Sequence, residues 1–164
     1  MDSFKQALAA YRQGKFGEAE AGLLQAITEN FDDAQSLYLL GTLFLQQRKW
    51  GLAANLFIRS LEIVPEHSEA WNNLGNCYKA MNKDEEARVC YTDALNIPSK
   101  DPLFCADVHN NLATIYINNG SPEKGIALLK KALELNPNHP NANWNLALIY
   151  LEQGDYEKGF GLYH

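Results

Sequence analysis

Asparagine side chains are the groups whose type and spacing first suggest a function. Six of them cluster in three segments of the chain, and three of the six stand directly before a leucine. Those three are Asn73, Asn111 and Asn145, and the others are Asn72, Asn76 and Asn110. An asparagine amide offers hydrogen-bond donors and an acceptor that match the N–H and C=O groups of an extended peptide. A row of such amides would hold a polypeptide without reacting with it, although asparagine is also an ordinary surface residue.

The sequence carries none of the common catalytic motifs. It has no glycine-rich phosphate loop, no HExxH, no paired CxxC and no GxSxG. Cys105 and His109, four residues apart, could both reach one metal ion, but two ligands make a poor site and packing is the favoured interpretation. We therefore expect no catalytic residue, no metal site and no cofactor, and we interpret the chain as not an enzyme by itself.

Net charge and hydropathy disfavour two classes of partner, and the N-terminal segment predicts a cellular location. The net charge of -6 disfavours nucleic acid, because such binding depends on Lys and Arg side chains that neutralise phosphates. No apolar run approaches the roughly 20 residues that would span a bilayer, so no membrane partner is expected. The N-terminal segment has no features of a signal peptide, which predicts a cytoplasmic location.

Internal repeats determine the elements that would position the asparagines. Three columns of similar residues recur at intervals of 34, with one interval of 38 before the fourth unit. The leucine column is Leu40, Leu74, Leu112 and Leu146; the aromatic column is Phe44, Tyr78, Tyr116 and Tyr150; the small-residue column is Ala19, Ala53, Ala87, Gly125 and Gly159. Each unit has apolar residues at i, i+3, i+4 and i+7 on both sides of a short polar turn, which predicts two helices. Small residues are expected where the two helices of a pair come closest.

The third unit carries the clearest signature. Trp71, Leu74-Gly75, Tyr78 and Ala87 stand at the spacing of the tetratricopeptide repeat, and the resemblance covers the whole chain. The resemblance implies an all-α fold, a right-handed superhelical solenoid of antiparallel helix pairs. It implies a single domain over residues 1–164 with about five repeats. We place the repeats at 1–33, 34–67, 68–101, 106–139 and 140–164, the last of them incomplete.

Two irregularities interrupt the repeat. The four extra residues Pro102–Cys105 follow Asp101, so Asp101 and Pro102 can serve as N-cap and first helical residue of a helix lengthened by about one turn. The sequence given also stops about halfway through a second helix of the fifth repeat, which favours a longer parent chain.

The resemblance implies that first helices line a concave groove, where a ligand is expected to bind. Asn73, Asn111 and Asn145 would face it, like the concave asparagine array in the repeat domain of O-GlcNAc transferase. Lys5 and Leu39 occupy the same column in the first two repeats, and there the groove is expected to be apolar. Its expected apolar side chains are Phe4, Leu8, Tyr11, Tyr38 and Leu45. We predict a protein-interaction scaffold that binds an extended peptide through Tyr38, Asn73, Asn76, Lys79, Asn110, Asn111, Trp144 and Asn145.

Three alternatives stay open. Lys79 and Asn76 are compatible with part of the carboxylate clamp found in another branch of the family, but Glu69 and Asp107 stand where cations would be wanted. The last repeat is similar to that of bacterial proteins in which such arrays precede a glycosyltransferase domain, so the chain would be their substrate-recruiting arm. Finally, Trp144 begins an apolar stripe with Leu148 and Leu151 that is suited either to self-association or to cover by further chain.

Overall fold

The computed structural model describes residues 2–162 and contains ten helices and no strand within that range. They are α1 (Ser3–Arg12), α2 (Phe16–Glu29), α3 (Ala34–Gln46), α4 (Trp50–Ile63), α5 (Ser68–Ala80), α6 (Asp84–Asn96), α7 (Pro102–Asn118), α8 (Pro122–Leu135), α9 (Pro140–Glu152) and α10 (Tyr156–Gly161). The predicted all-α class is confirmed. The end of the fifth repeat, from Tyr163 onward, lies outside the described residues.

Aspartates cap the starts of α1, α3 and α7. The side chains of Asp33 and Asp101 accept hydrogen bonds from backbone N–H groups of α3 and α7, which have no partner within the helix. Pro102 follows as the first residue of α7, and α7 has 17 residues where α5 has 13. The predicted one-turn extension is therefore present.

The turn inside each repeat uses one residue in the left-handed region. These residues are Gly14, Arg48, Asn82, Gly120 and Gly154, with φ between 58° and 78°. The following residue donates its N–H to a carbonyl five residues back, as Lys49 does to Phe44 and Lys83 to Tyr78, both at 2.9 Å. This bond closes the helix end in the manner of a Schellman motif. Every repeat thus reverses direction by the same backbone device.

The chain divides into two compact units. The first, Met1–Lys83, contains α1 to α5; each helix packs on the next, and α3 also contacts α5. Leu23, Leu37, Leu40 and Leu43 are fully or almost fully buried in its core. A Cβ atom built on Gly41 would lie 2.9 Å from the buried ring of Phe57, so α3 and α4 approach closely at this glycine, which stands 34 residues before Gly75.

The second unit, Asp84–His164, contains α6 to α10. Here too each helix packs on the next, and α7 also contacts α9. Leu129, Leu146 and Ile149 contribute to its core. A Cβ atom on Gly159 would lie 2.5 Å from Leu151, which packs over α10. The expectation that Leu151 lines an open apolar stripe is therefore wrong, because its side chain is used within its own helix pair.

Candidate functional site

First helices contact one another inside each unit, and their exposed sides form the surfaces on which a ligand was expected. In the first unit this surface contains a cleft of about 590 Å³. We call it the first-helix cleft. It is lined by Phe4 and Leu8 of α1, by Ala34, Gln35, Tyr38 and Leu39 of α3, and by Val64, Glu66 and His67 of the turn between α4 and α5.

The lining is mainly apolar, as expected for this end of the chain. Phe4, Leu8 and Tyr38 meet there, whereas Tyr11 and Leu45 are not among the lining residues. Tyr11 accepts a hydrogen bond from Gln46 at 2.7 Å instead. An open apolar space of this size accommodates a large side chain of a partner.

Tyr38 contributes both an aromatic ring and a hydroxyl to the cleft wall. Its ring lies 4.4 Å from the ring of His67 and 5.9 Å from that of Phe57, measured between centroids. Its hydroxyl oxygen accepts a long hydrogen bond of 3.4 Å from the Asn73 amide. Burial raises the pKa of Tyr38 above its ordinary value, and the nearby Glu69 carboxylate adds to the increase. The hydroxyl therefore stays neutral and keeps its donor at physiological pH.

A hydrogen bond in the same register occurs in the second unit. The Asn145 amide of α9 donates to the side-chain oxygen of Asn110 on α7 at 3.0 Å, again 35 residues apart. Two of the three predicted ladder asparagines, Asn73 and Asn145, thus bond to the preceding repeat. One N–H of each of these two amides is therefore used to join neighbouring first helices.

Asn110 does not fit its predicted role. Its side chain is 5% exposed and its oxygen is occupied by Asn145. Consecutive residues of a helix point about 100° apart, so Asn110 and Asn111 cannot face the same groove equally. The assignment of Asn110 as a peptide-contacting residue is wrong on these grounds.

The remaining predicted residues are placed as follows. Asn76 and Lys79 on α5 and Asn111 on α7 are half-buried. Asn145 lines a small cleft of about 180 Å³ between α7 and α9, together with Thr114 and Leu148. Trp144, 52% exposed, lines a separate cleft of about 430 Å³ beside Pro137 and Leu162.

Two histidines that were not among the predicted site residues have defined roles. His67 closes one side of the first-helix cleft, and its Nε2 lies 3.7 Å from a Glu69 carboxylate oxygen. His139 is 3% exposed; its Nδ1 accepts from the Ala142 N–H at 3.2 Å, and its Nε2 lies 2.8 Å from Asp107. Because Nδ1 is an acceptor, Nε2 carries the proton and donates it to the carboxylate. His139 is the N-cap of α9, a role signalled only by its place before Pro140.

The described residues also include the histidines and cysteines that were considered for metal binding or nucleophilic chemistry. Within residues 2–162, no three His, Cys, Asp or Glu residues come together in a way that could hold a metal ion. The Nδ1 of His109 lies 2.8 Å from the Cys105 backbone oxygen. Cys77 is buried, and its burial raises the thiol pKa to about 12, far from a reactive thiolate at neutral pH. Over the same range, no helix combines the length and apolarity needed to cross a bilayer.

Family models decide the classification. Two models described as tetratricopeptide repeat match residues 32–100 and 110–163, which together make up more than half of the chain. The chain belongs to the tetratricopeptide repeat family. The first match spans the second and third repeats, and the second match spans most of the fourth repeat and nearly all of the fifth.

Curated relatives match over part of their own length. The tetratricopeptide repeat-containing protein trd-1 of Caenorhabditis elegans is 32% identical over 62% of this chain and 13% of that protein. The photosystem I assembly protein Ycf3 of Synechococcus sp. (strain CC9902) is 30% identical over 57% of this chain and 55% of that protein. Human protein O-mannosyl-transferase TMTC3 is 30% identical over 57% of this chain and 10% of that protein. The chain therefore spans little more than half, or much less, of these relatives.

Solved structures share the fold. MamA 41-end from Desulfovibrio magneticus RS-1 superposes with a TM-score of 0.85 at 20% identity, covering 99% of this chain and 92% of that one. YrrB, titled a TPR protein with an unusual peptide-binding site, gives 0.80 at 16% identity, covering 98% and 80%. At these identities the likeness establishes the arrangement of helices alone.

Proposed function

We propose that the chain is a scaffold that binds an extended peptide segment of another protein on the exposed faces of its first helices. The observation that carries this proposal is the first-helix cleft, an open and mainly apolar space with Tyr38 in its wall. Tetratricopeptide repeat proteins act generally as non-catalytic scaffolds. The cytoplasmic location predicted from the sequence stays a prediction.

The cleft suits an anchor side chain better than a small metabolite. Its lining residues come from α1, α3 and the turn before α5, so it is open along the helix face instead of enclosed. Small-molecule sites are usually concave pockets that bury most of the ligand, whereas peptides insert one apolar anchor and run across the surface. The hydroxyl of Tyr38 and the amide of Asn73, which bond to each other, are the groups that we assign to the backbone of the peptide.

Substitution in the cleft tests this function. Dodecapeptides from a random phage-displayed library would be selected on the immobilised chain, synthesised with a fluorescent label and titrated by anisotropy. Leu8→Glu places a charge in the cleft and should weaken binding by about tenfold or more, because a buried unpaired carboxylate is costly. Leu52→Glu, on α4 at a site 55% exposed, is the matched control and should leave affinity unchanged. Equal affinities of the two variants would remove the proposal.

The asparagine ladder is a second part of the same proposal. Replacing Asn73, Asn111 and Asn145 with alanine should weaken peptide binding while helicity measured by circular dichroism is retained. Asn145→Ala alone is informative, because it removes the bond to Asn110 as well as any bond to a ligand. Binding that is unchanged in the triple variant would restrict these amides to joining neighbouring repeats.

A second candidate function is a substrate-recruiting arm of a glycosyltransferase whose catalytic domain lies outside this chain. The observation that favours it is the match to TMTC3, a protein named for mannosyl transfer, although the match covers 10% of that protein. Reading the gene on both sides of this segment tests it. A reading frame that encodes no catalytic domain on either side of this segment would exclude this arrangement.

A further inference from the structure

The charges around the first-helix cleft point to the kind of peptide it takes. Of the side chains that line the cleft, one is a carboxylate, Glu66, and it is exposed. A second carboxylate, Glu69, adjoins the same wall, with one oxygen 3.7 Å from His67 Nε2. Its effect on the titration of Tyr38 places it within electrostatic reach of that hydroxyl. Two negative charges thus lie at one side of an apolar opening.

Lys5, the cation that adjoins the cleft residue Phe4, already has a carboxylate partner. Lys5 follows Phe4 on α1, and its Nζ lies 3.7 Å from the Asp2 carboxylate. Asp33 is used as the N-cap of α3, where its oxygens accept from backbone N–H groups and from the Ser36 hydroxyl. Glu69 accepts a hydrogen bond from the Ser68 hydroxyl at 3.1 Å besides its contact with His67, but a hydroxyl does not offset its charge. Glu66 and Glu69 are therefore the carboxylates at the cleft that we assign to a partner. The net charge of the chain, -6, also favours a positively charged partner.

We propose that the cleft binds a basic peptide segment, with an aromatic or branched aliphatic anchor in the apolar space and a Lys or Arg near that anchor paired with Glu66 and Glu69. This inference rests on the proposed function and specifies its ligand. An acidic peptide would bring like charges together at the rim, which is unfavourable. The apolar anchor supplies affinity, and the carboxylates select the charge beside it.

The phage selection and titration described above also test this inference. The selected dodecapeptides should carry Lys or Arg within about three positions of an apolar anchor. Glu66→Gln/Glu69→Gln should weaken their binding by about three- to tenfold at low salt, since partly exposed ion pairs contribute modestly. The effect should fade with added salt as the charges are screened. Glu18→Gln/Glu134→Gln, an equal change of charge at exposed sites on α2 and α8, is the control and should bind like the unaltered chain.

Charge reversal separates recognition from a structural role. The Glu66→Lys/Glu69→Lys variant should lose the basic peptides and gain binding of the same peptides with Asp or Glu in place of Lys or Arg. A merely structural role of the two glutamates would lower binding of both series. Circular dichroism and urea unfolding of each variant establish that it is folded before its affinity is compared.

The outcomes are distinct. Peptides that bind through the cleft without a basic preference, or with affinity unaffected by the Gln variants, would overturn this inference and leave the proposed function standing. Absence of any peptide whose binding is lost in Leu8→Glu would overturn both. A dimer in sedimentation equilibrium that Leu8→Glu dissolves would mean that a second copy of the chain occupies the cleft, which also overturns the inference.

Discussion

Tyr38 contributes both apolar surface and a polar group to the first-helix cleft. Its ring packs between His67 and Phe57, and its hydroxyl bonds to Asn73. The sequence predicted an apolar pocket at this residue because the column occupied by asparagine in later repeats is Leu39 here. It did not predict the roles of Glu66 and His67, because these depend on how the turn between α4 and α5 folds back beside α3.

Ionisation of Tyr38 gives a test of its environment. Because burial raises its pKa above the ordinary value of 10.0, the folded chain keeps the proton to higher pH than the unfolded chain does. The stability that the neutral hydroxyl contributes is therefore fully present below pH 10 and is lost as pH rises through the folded pKa. Urea unfolding from pH 8 to pH 11.5 should give a steeper loss for the unaltered chain than for Tyr38→Phe. Parallel curves would mean that Tyr38 is as solvated in the folded as in the unfolded chain.

His139 is the second residue whose contacts define a test. Its Nδ1 caps α9, and its Nε2 bonds to Asp107. His139→Ala should lower the free energy of unfolding by about 1–2 kcal/mol, the usual cost of losing an N-cap. His139→Asn should recover most of this, because asparagine is a preferred cap, and Asp107→Ala should cost less than His139→Ala. If His139→Ala and His139→Asn were equally destabilised in urea, the N-cap would not explain the stability that His139 contributes.

At the scale of helices, close packing is governed by small residues. The sequence predicted their positions, because the small-residue column keeps the repeat interval. The two helices of each repeat and the extension of α7 also followed from the sequence, since hydrophobic periodicity and the Asp101-Pro102 cap are local signals. The hydrogen bonds between repeats were not predictable, because Tyr38 with Asn73 and Asn110 with Asn145 depend on which side chains neighbouring helices bring together.

Gly41 tests this packing directly. Gly41→Ala would place a Cβ atom 2.9 Å from the ring of Phe57, which is fully buried. Overpacking of this kind costs about 1–3 kcal/mol, so the midpoint of urea unfolding should fall. Gly51→Ala in α4 is the control, because a Cβ atom there has no neighbour within 4 Å. It should raise stability by about 0.5–1 kcal/mol through helix propensity. The packing explanation would be wrong if both variants shifted the midpoint in the same direction.

For the whole molecule, the family and the helical repeat are established, while the occupant of the first-helix cleft is proposed. Each of the two units presents first helices that touch one another, and each has its own clefts. Trp144 and Leu148 remain exposed in the second unit, at 52% and 37%. Self-association through this surface stays a prediction, and sedimentation at several concentrations measures it.

Photo-crosslinking tests the central claim most directly, because it reports where the anchor of a bound peptide lies. The apolar anchor of the tightest selected dodecapeptide would be replaced by p-benzoyl-phenylalanine, irradiated with the chain and mapped by mass spectrometry. The account predicts crosslinks within residues 4–8, 34–39 or 64–67, which contain the cleft lining. Crosslinks confined to the second helices α2 and α4, for example at Leu24 or Leu52, would contradict it.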